Sequence, residues 1–336
     1  MWSLLLGLLA CTGSSTDDSA ATTDDTPRSP FVTLVSDRAE AVLSVRGTSA
    51  TDVWAVGADA GLGDGPLVLH YDGTGWTELE TGTSGSLWSV QPTETGATMV
   101  GADGVILDYN SASGTFTQQP GPTGITLLGV WGAHGNDLWA AGGDLVRIEN
   151  PAVWRNVGGT WAQYVDDTTK LFGHKTYLTG VSGAAADDLW LIGTQEILAH
   201  FDGQGLTLVE RGNKNDLASV CNTGAFAVSV GGLQSAYILH EEEDGDWDSH
   251  SPALQPQLKA VDASLDQMVA VGSRGVVLRY VGSEWVPDPV AVNYYDLTAV
   301  WLDPDGGVWI GGGDLSAQPE SRGYLGYQGS ANVAGG

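Results

Sequence analysis

The scarce cations of this acidic chain are its clearest candidates for binding chemistry. Only 13 of the 336 residues are Lys or Arg, and six of these stand in polar segments between apolar runs. A local cationic rim on such a chain would attract a carboxylate or an acidic polysaccharide, although Lys and Arg also simply solubilise exposed loops. Tyr177, Tyr294 and Tyr295 lie near the same segments and offer stacking surface for a sugar or a peptide. The six cations are Lys170, Lys175, Arg211, Lys214, Arg274 and Arg322.

The remaining reactive side chains do not form a catalytic or metal-binding set. His70, His200 and His240 occupy the same place in three copies of a repeat, which puts them too far apart to share an ion. Cys221 stands beside Val220 in an apolar run, which favours a small buried residue over a nucleophile. The sequence contains no zinc motif, no Gly-x-Ser-x-Gly, no phosphate-binding Gly-rich loop and no Cys-x-x-Cys. We therefore predict no catalytic residue and no metal ligand.

Acidic side chains offer one alternative, a site for a hard cation. The run from Glu241 to Asp248 brings several carboxylates together, as Ca²⁺ requires, but it lacks the alternating ligands of an EF-hand loop. We interpret it as a solvated charge run and expect no cofactor, with calcium as the alternative. Asp52, Asp137 and Asp188 each stand two residues before a Trp. Their spacing predicts turns that the Asp side chain closes by bonding to nearby backbone.

A sevenfold repeat determines which elements carry these residues. Each copy contains four short runs rich in Val, Ile, Leu, Trp and Tyr, separated by turns, and its second run ends at a glycine. The glycines, Gly57, Gly101, Gly142, Gly193, Gly231, Gly272 and Gly312, lie 44, 41, 51, 38, 41 and 40 residues apart. This pattern predicts an all-β protein, a seven-bladed β-propeller with four-stranded blades. Four copies carry a Trp that we expect to fill the wedge between blades: Trp54, Trp139, Trp190 and Trp309.

The ring is predicted to close by joining the two ends of the chain. We letter the strands of each blade A to D from the axis outward. Blade 7 lacks an outer strand after Tyr327, while Phe31 precedes the first strand A by the spacing seen at other blade junctions. We therefore expect residues 31–35 to form strand D of blade 7. The B–C and D–A loops then emerge on one side, and they hold all six candidate cations.

Composition excludes several classes of partner. The formal net charge is −28, which would repel a nucleic-acid backbone and rules out a polybasic contact with a membrane surface. The same charge is expected to keep a Gly-rich sheet protein soluble and monomeric. We expect a protein or an acidic glycan as the ligand.

The amino terminus predicts export. The segment Leu4 to Ala10 is too short to span a bilayer but suits the core of a signal peptide. Leu8-Leu9-Ala10-Cys11 resembles the bacterial lipobox, and this resemblance implies cleavage before Cys11 and lipidation of that residue. We expect a signal peptide over residues 1–10, the lipidated Cys and a disordered acidic tether over 11–30, the propeller over 31–329 and a flexible tail over 330–336. The protein would then lie at the bacterial cell envelope, periplasmic or surface-exposed and bound to the membrane only through the lipid, with the outer membrane favoured.

Several propeller families resemble the repeat unit. The copy from Asp52 to Gly57, followed by an apolar strand, Asp72-Gly73 and Trp76, is similar to bacterial propellers related to the photosystem II assembly factor and BNR-repeat families. The segment Asp303 to Gly312 resembles the repeat of two-component regulator propellers. These resemblances cover about residues 31–329, and they imply interaction more readily than catalysis.

Three functions follow as expectations. The first is a non-catalytic, envelope-anchored binding or assembly propeller for a protein or glycan. The alternatives are a glycan-processing hydrolase of sialidase type and a sensor-type ligand-binding propeller. A hydrolase requires at least two carboxylates and an Arg or Tyr in one pocket at the axis. An axis lined by Val, Ser and Gly would argue against it.

Overall fold

In the computed structural model, seven four-stranded antiparallel sheets form a closed ring. The structure describes residues 28–165, 168–288, 295–314, 322–331 and 333. Each blade is a meander in which neighbouring strands pair in order from the axis outward. The predicted fold class, a seven-bladed β-propeller, is confirmed.

The first four blades follow one another along the chain. Blade 1 consists of β2 (Val42–Ser49), β3 (Asp52–Asp59), β4 (Pro66–Tyr71) and β5 (Trp76–Glu78). Blade 2 consists of β6 (Leu87–Thr93), β7 (Gly96–Gly101), β8 (Ile106–Asn110) and β9 (Thr115–Gln119). Blade 3 consists of β10 (Thr126–His134), β11 (Asp137–Asp144), β12 (Glu149–Val157) and β13 (Thr160–Gln163). Blade 4 consists of β14 (Leu178–Ala185), β15 (Asp188–Gly193), β16 (Leu198–Phe201) and β17 (Leu206–Leu208).

The last three blades complete the ring. Blade 5 consists of β18 (Leu217–Asn222), β19 (Ala227–Gly231), β20 (Tyr237–Glu241) and β21 (Trp247–His250). Blade 6 consists of β22 (Leu258–Ala263), β23 (Met268–Gly272), β24 (Val277–Val281) and β25 (Glu284–Pro287). Blade 7 consists of β26 (Asp296–Leu302), β27 (Val308–Gly313), β28 (Gly323–Gln328) and β1 (Val32–Arg38). A short helix that the repeat did not predict, α1 (Thr168–Phe172), joins blades 3 and 4.

The glycine that marks each copy is required by a close backbone approach. A Cβ atom at Gly57 would overlap the carbonyl oxygen of Ala41, which lies just before strand A of the same blade. The other six glycines meet the equivalent carbonyl oxygen of their own blade in the same way. Any larger residue would push the end of strand B away from the D–A connection.

The chain ends close the ring as predicted. Strand β1 pairs antiparallel with β28, with Val32 opposite Tyr327 and Arg38 opposite Gly323. The strand begins one residue later and ends three residues later than the predicted 31–35, because its pairing continues past Val35 to the start of β28.

A buried polar cluster fastens this junction to blade 6. Arg279 Nε donates to Asp288 Oδ2 at 2.6 Å, and its Nη2 donates to Gln328 Oε1 at 2.5 Å. Gln328 Nε2 donates to the carbonyl oxygen of Ser29 at 2.6 Å. One guanidinium therefore connects blade 6 to both ends of the chain.

The repeated tryptophans pack between blades as predicted. Trp54, Trp139, Trp190 and Trp309 are all buried. Trp54 belongs to a cluster with Val90 and Met99 of blade 2, and Trp139 packs against residues of blade 4. Each ring thus fills the wedge between its own blade and the next.

The two faces of the ring carry different connections. Because neighbouring strands run in opposite directions, the A–B and C–D connections lie on one face, which we call the A–B face. The B–C and D–A connections lie on the other, which we call the B–C face. The chain enters β1 from the A–B face, because Val32 pairs near the end of β28. Among the described residues, no helix has the length and apolar character needed to cross a membrane.

Candidate ligand-binding face

The axial channel is narrow and carries few charged groups. Its volume is about 110 Å³, below the roughly 300–1,000 Å³ of typical small-molecule sites. Strand A of every blade lines it, and Arg46 and Lys259 are the charged side chains among its described lining residues. Lys259 Nζ lies 2.5 Å from Asp296 Oδ2, so its charge is paired. No carboxylate lines the described channel, so the geometric criterion set for the hydrolase alternative is not met at the axis. Small residues form a ring at its middle: Ser44, Ser89, Gly129, Gly180, Ser219, Ala260 and Ala299.

Five of the six candidate cations have exposed side chains on the B–C face. Lys170 lies on α1, and Lys175 follows it on the same D–A connection. Lys214 lies on the next D–A connection, between blades 4 and 5. Arg274 occupies the tight B–C turn of blade 6, where its amide donates to Asp296 Oδ1 at 3.1 Å. Arg322 ends the B–C connection of blade 7.

Arg211 differs from the other five because it is held in an ion pair. Its Nε donates to Glu196 Oε1 at 3.0 Å, and its Nη1 donates to the carbonyl oxygen of Trp247. The Glu196 side chain is buried, and its Oε2 also accepts from the Tyr237 hydroxyl at 3.2 Å. Arg211 therefore stabilises the contact between blades 4 and 5 and offers less charge to a ligand than its sequence position suggests. No spacing rule predicts this pair, because Glu196 lies in the B–C turn of blade 4, where its φ is 58°, and Arg211 lies on the D–A connection that follows.

The predicted tyrosines contribute unequally. Arg322 Nη1 donates to the Tyr295 hydroxyl at 3.4 Å, and this bond raises the pKa of the guanidinium. Tyr177 is half-buried, and burial raises the pKa of its hydroxyl. Tyr294 lies outside the described residues. Tyr295 and Arg322 thus form one aromatic and cationic pair at the edge of blade 7.

Backbone strain is concentrated on the B–C face. Eleven described non-glycine residues have a positive φ, and ten of these lie in or beside B–C and D–A connections; the exception is Ser283. Three of the ten are candidate cations, namely Lys175 (φ 59°), Arg274 (φ 61°) and Arg322 (φ 48°). Left-handed conformations are costly for non-glycine residues, and they cluster where a protein binds ligands.

The described connections of the A–B face carry no cations. Counting the strand residue at each end, its described A–B and C–D connections contain 16 Asp and Glu residues and no Lys or Arg. The run that begins at Glu241 forms the C–D turn of blade 5. Burial raises the pKa of Glu241, which accepts from the Ala227 amide at 2.9 Å. Among the described residues, no group of three or more His, Cys, Asp or Glu is placed to hold a metal ion. The 16 residues are Asp52, Asp72, Glu94, Asp137, Asp187, Asp188, Asp202, Glu241, Glu242, Glu243, Asp244, Asp246, Asp266, Glu284, Asp303 and Asp305.

Three of these carboxylates are structural in a way that sequence reasoning missed. The prediction that Asp52, Asp137 and Asp188 close turns on nearby backbone is wrong. Asp52 Oδ1 lies 2.8 Å from His70 Nε2, and that imidazole stacks on Trp54 with the ring centroids 3.9 Å apart.

Blades 3 and 4 repeat this arrangement with different partners. Asp188 pairs with His200 at 2.8 Å, while Asp137 accepts two bonds from Arg155, at 2.9 and 2.8 Å. The Arg155 guanidinium lies 4.5 Å from the centre of the Trp139 ring. In blades 1, 3 and 4, the carboxylate thus orients the side chain that covers the wedge tryptophan. A signal was present, because strand C carries His or Arg opposite the Trp in all three blades.

These observations define a β-propeller with one acidic face and one face that collects exposed cations and strained loops. No protein-family model matches the chain, and no characterised protein matches it in sequence at a significant level. Solved structures match the fold. YCF48 from Cyanidioschyzon merolae is 13% identical over 89% of this chain and 99% of its own, with a TM-score of 0.67.

Two further solved structures are similar at the same level. A streptogramin B lyase is 13% identical over 89% of this chain and 97% of its own, with a TM-score of 0.71. The extracellular domain of a one-component system from B. thetaiotaomicron is 11% identical over 89% of this chain and 40% of its own, with a TM-score of 0.64. At such low identity these similarities establish the fold alone.

Proposed function

We propose that this protein is a non-catalytic binding or assembly propeller of the bacterial cell envelope, anchored by a lipid on Cys11, whose B–C face binds a protein or an acidic glycan. Cys11 lies outside the described residues, and the lipobox resemblance supports its role. The chain enters the ring from the A–B face. A tether to the membrane would therefore leave the B–C face pointing away from the lipid, free to meet a partner.

The contrast between the two faces is the observation that carries this proposal. Six Lys and Arg residues of the chain are exposed, and all six lie on the B–C face. The described A–B and C–D connections of the other face hold 16 acidic residues and no Lys or Arg. Counted in the same way, the described B–C and D–A connections hold 14 Asp and Glu residues beside eight Lys and Arg residues, so attraction for an anionic group is local to the exposed cations.

The structural neighbours add support for binding. A second solved structure shows YCF48 bound to a D1 peptide, and it is 12% identical over 91% of this chain with a TM-score of 0.68. The neighbour from B. thetaiotaomicron is an extracellular domain. We extend binding of a protein segment and an extracytoplasmic location to this chain as proposals. The same neighbour keeps a sensor-type function within the proposal, since a sensor also begins with ligand binding.

Neutralising the exposed cations tests the proposal. In one variant, Lys170, Lys175 and Lys214 become Gln; Arg211 is left intact because Glu196 depends on it. A control adds the same change in charge to the A–B face through Thr95→Glu, Ser111→Glu and Ala225→Glu, which are exposed positions. Both proteins and the wild type are titrated with polyuronate oligosaccharides and with peptides selected on the wild type.

The two variants are expected to differ. Loss of binding in the Gln variant, with salt-sensitive affinity in the wild type, supports the B–C face. Equal binding by all three proteins would rule it out. Anchoring is tested separately, since Cys11→Ala is expected to move the protein from the membrane fraction to the soluble fraction. Turnover of a glycan that one point mutation abolishes would contradict the non-catalytic proposal.

A further inference from the structure

We propose that the partner of the B–C face is a protein, and that it docks on the arc that runs from blade 3 to blade 6. This inference rests on the proposed function and makes it more specific, because it chooses protein over glycan and one part of the face over the rest. The arc comprises the B–C connections of blades 3, 4, 5 and 6 and the D–A connections between them, over residues 144–149, 168–177, 194–197, 209–216, 232–236, 251–257 and 273–276.

Exposed aliphatic side chains are the first argument. Val146 and Ile148 are 94% and 48% exposed on the B–C hairpin of blade 3. Leu233 is 62% exposed on the B–C loop of blade 5, and Leu254 is fully exposed on the D–A connection that follows it. Four of the eight exposed large apolar residues of the described chain therefore lie on this arc. They stand as two pairs, one on blade 3 and one between blades 5 and 6, and each pair offers an apolar anchor to a protein partner.

One member of each aliphatic pair has a strained backbone conformation. Ile148 and Leu254 have φ values of 56° and 63°. Such a conformation is an outlier for the β-branched Ile148 and uncommon for a bulky residue such as Leu254, and a polar residue such as Asn adopts it more easily. Strain of this kind persists where the surrounding structure imposes it, and it is typical of binding sites.

Hydrogen bonds fix the backbone around both pairs. In blade 3, Asp144 Oδ1 accepts from the amides of Val146 and Arg147, both at 3.0 Å. In blade 5, the Ala236 amide donates to the Gln255 carbonyl at 3.0 Å, next to a β-bridge between Ser235 and Pro256. The second contact brings the loops of Leu233 and Leu254 together. The apolar tips are thus presented in a fixed conformation, which lowers the entropic cost of binding.

The charge of the arc indicates that the partner surface is acidic. Five of the six exposed cations lie on the arc, and Glu210 and the half-exposed Glu149 side chain are its exposed carboxylates among the described residues. Arg147 Nη1 lies 3.7 Å from Asp144 Oδ2 and 4.0 Å from Glu149 Oε1, so the other four supply most of the accessible charge. An apolar surface edged by Asp and Glu would complement aliphatic tips interspersed with Lys and Arg. A sugar would gain little from aliphatic tips, because its surface is covered with hydroxyl groups. The five cations are Arg147, Lys170, Lys175, Lys214 and Arg274.

A pair of Asn substitutions separates docking from folding. In the arc variant, Ile148→Asn and Leu254→Asn remove two apolar tips and place there a residue that tolerates positive φ. Its unfolding midpoint is expected to equal or exceed that of the wild type. The control variant carries Val157→Asn and Leu265→Asn, which are 62% and 74% exposed on the A–B face. The probe is a random peptide library selected on the wild-type full chain.

The selection has a defined expected outcome. Enriched peptides should combine aliphatic or aromatic residues with Asp or Glu, bind the arc variant at least about tenfold more weakly than the wild type, and bind the control equally. Peptides that bind the arc variant with wild-type affinity overturn the inference. If the wild type binds only polyuronate, and the Gln variant no longer binds it, the proposed function stands and the inference of a protein partner is refuted. If neither probe binds the B–C face, both are refuted.

Discussion

The guanidinium of Arg279 is expected to hold the closed ring together. It bonds to Asp288 at 2.6 Å and to Gln328, which in turn holds Ser29. The side chains of Arg279 and Asp288 are 5% and 0% exposed, so the pair is shielded from solvent. Removing one partner of a buried ion pair typically costs about 3–5 kcal/mol, because the other charge stays buried without it. Arg279→Met should therefore lower the free energy of unfolding by about 3–5 kcal/mol.

Urea unfolding measured by tryptophan fluorescence checks this magnitude, provided that the transition is reversible. The double variant Arg279→Met, Asp288→Leu is the matched control, since it removes both charges and should recover most of the loss. Arg279→Lys keeps the positive charge but loses the paired N–H donors of the guanidinium. Its free energy of unfolding should therefore lie between those of Arg279→Met and the wild type. If the free energy of unfolding of Arg279→Met lies within about 1 kcal/mol of the wild-type value, the proposed role of this ion pair is refuted.

Three further predictions follow from the same contacts. Deleting Val32–Arg38 should uncover the edge of β28 and cause aggregation, whereas deleting residues 12–27 should leave the unfolding midpoint unchanged; equal behaviour of the two deletions would contradict the closure. The hydrogen bond from His70 holds the pKa of Asp52 below its usual value, so this carboxylate stabilises the fold above about pH 4 and the contribution is lost as pH falls through the lowered pKa. Asp52→Asn should therefore cost about 1 kcal/mol near pH 7 and progressively less towards pH 3 in urea titrations; a cost independent of pH would argue against the pair. Burial raises the pKa of the Cys221 thiol, so iodoacetamide at about pH 8 should label it only after unfolding, and rapid labelling of the native protein would contradict its burial.

The architecture could be predicted from the sequence because the same packing requirements select the same residue types in successive copies of the repeat. The glycine of each copy is required by the carbonyl that approaches it, and the tryptophans fill equivalent wedges. The glycine recurs in all seven blades and the tryptophan in four of them, so both leave a periodic signal. The closure by the amino-terminal strand followed from the same spacing, and pairing of Val32 with Tyr327 confirms it.

The residues of the candidate B–C face could be predicted only in part from the sequence. The exposed cations could be assigned to loops, because loop membership follows from the strand pattern. The ion pair between Arg211 and Glu196, and the bonds that join Arg279 to Gln328 and Ser29, depend on contacts between blades with no fixed spacing. The helix α1 is too short, at five residues, to show a helical period.

Hydrogen exchange of the full chain, with and without a peptide selected on the wild type, tests the central claim most directly. Docking on the arc predicts slower exchange in residues 144–149, 168–177, 232–236 and 251–257, with no change in the A–B and C–D connections. Protection confined to those connections, and above all to the acidic turn that begins at Glu241, would contradict the assignment of binding to the B–C face.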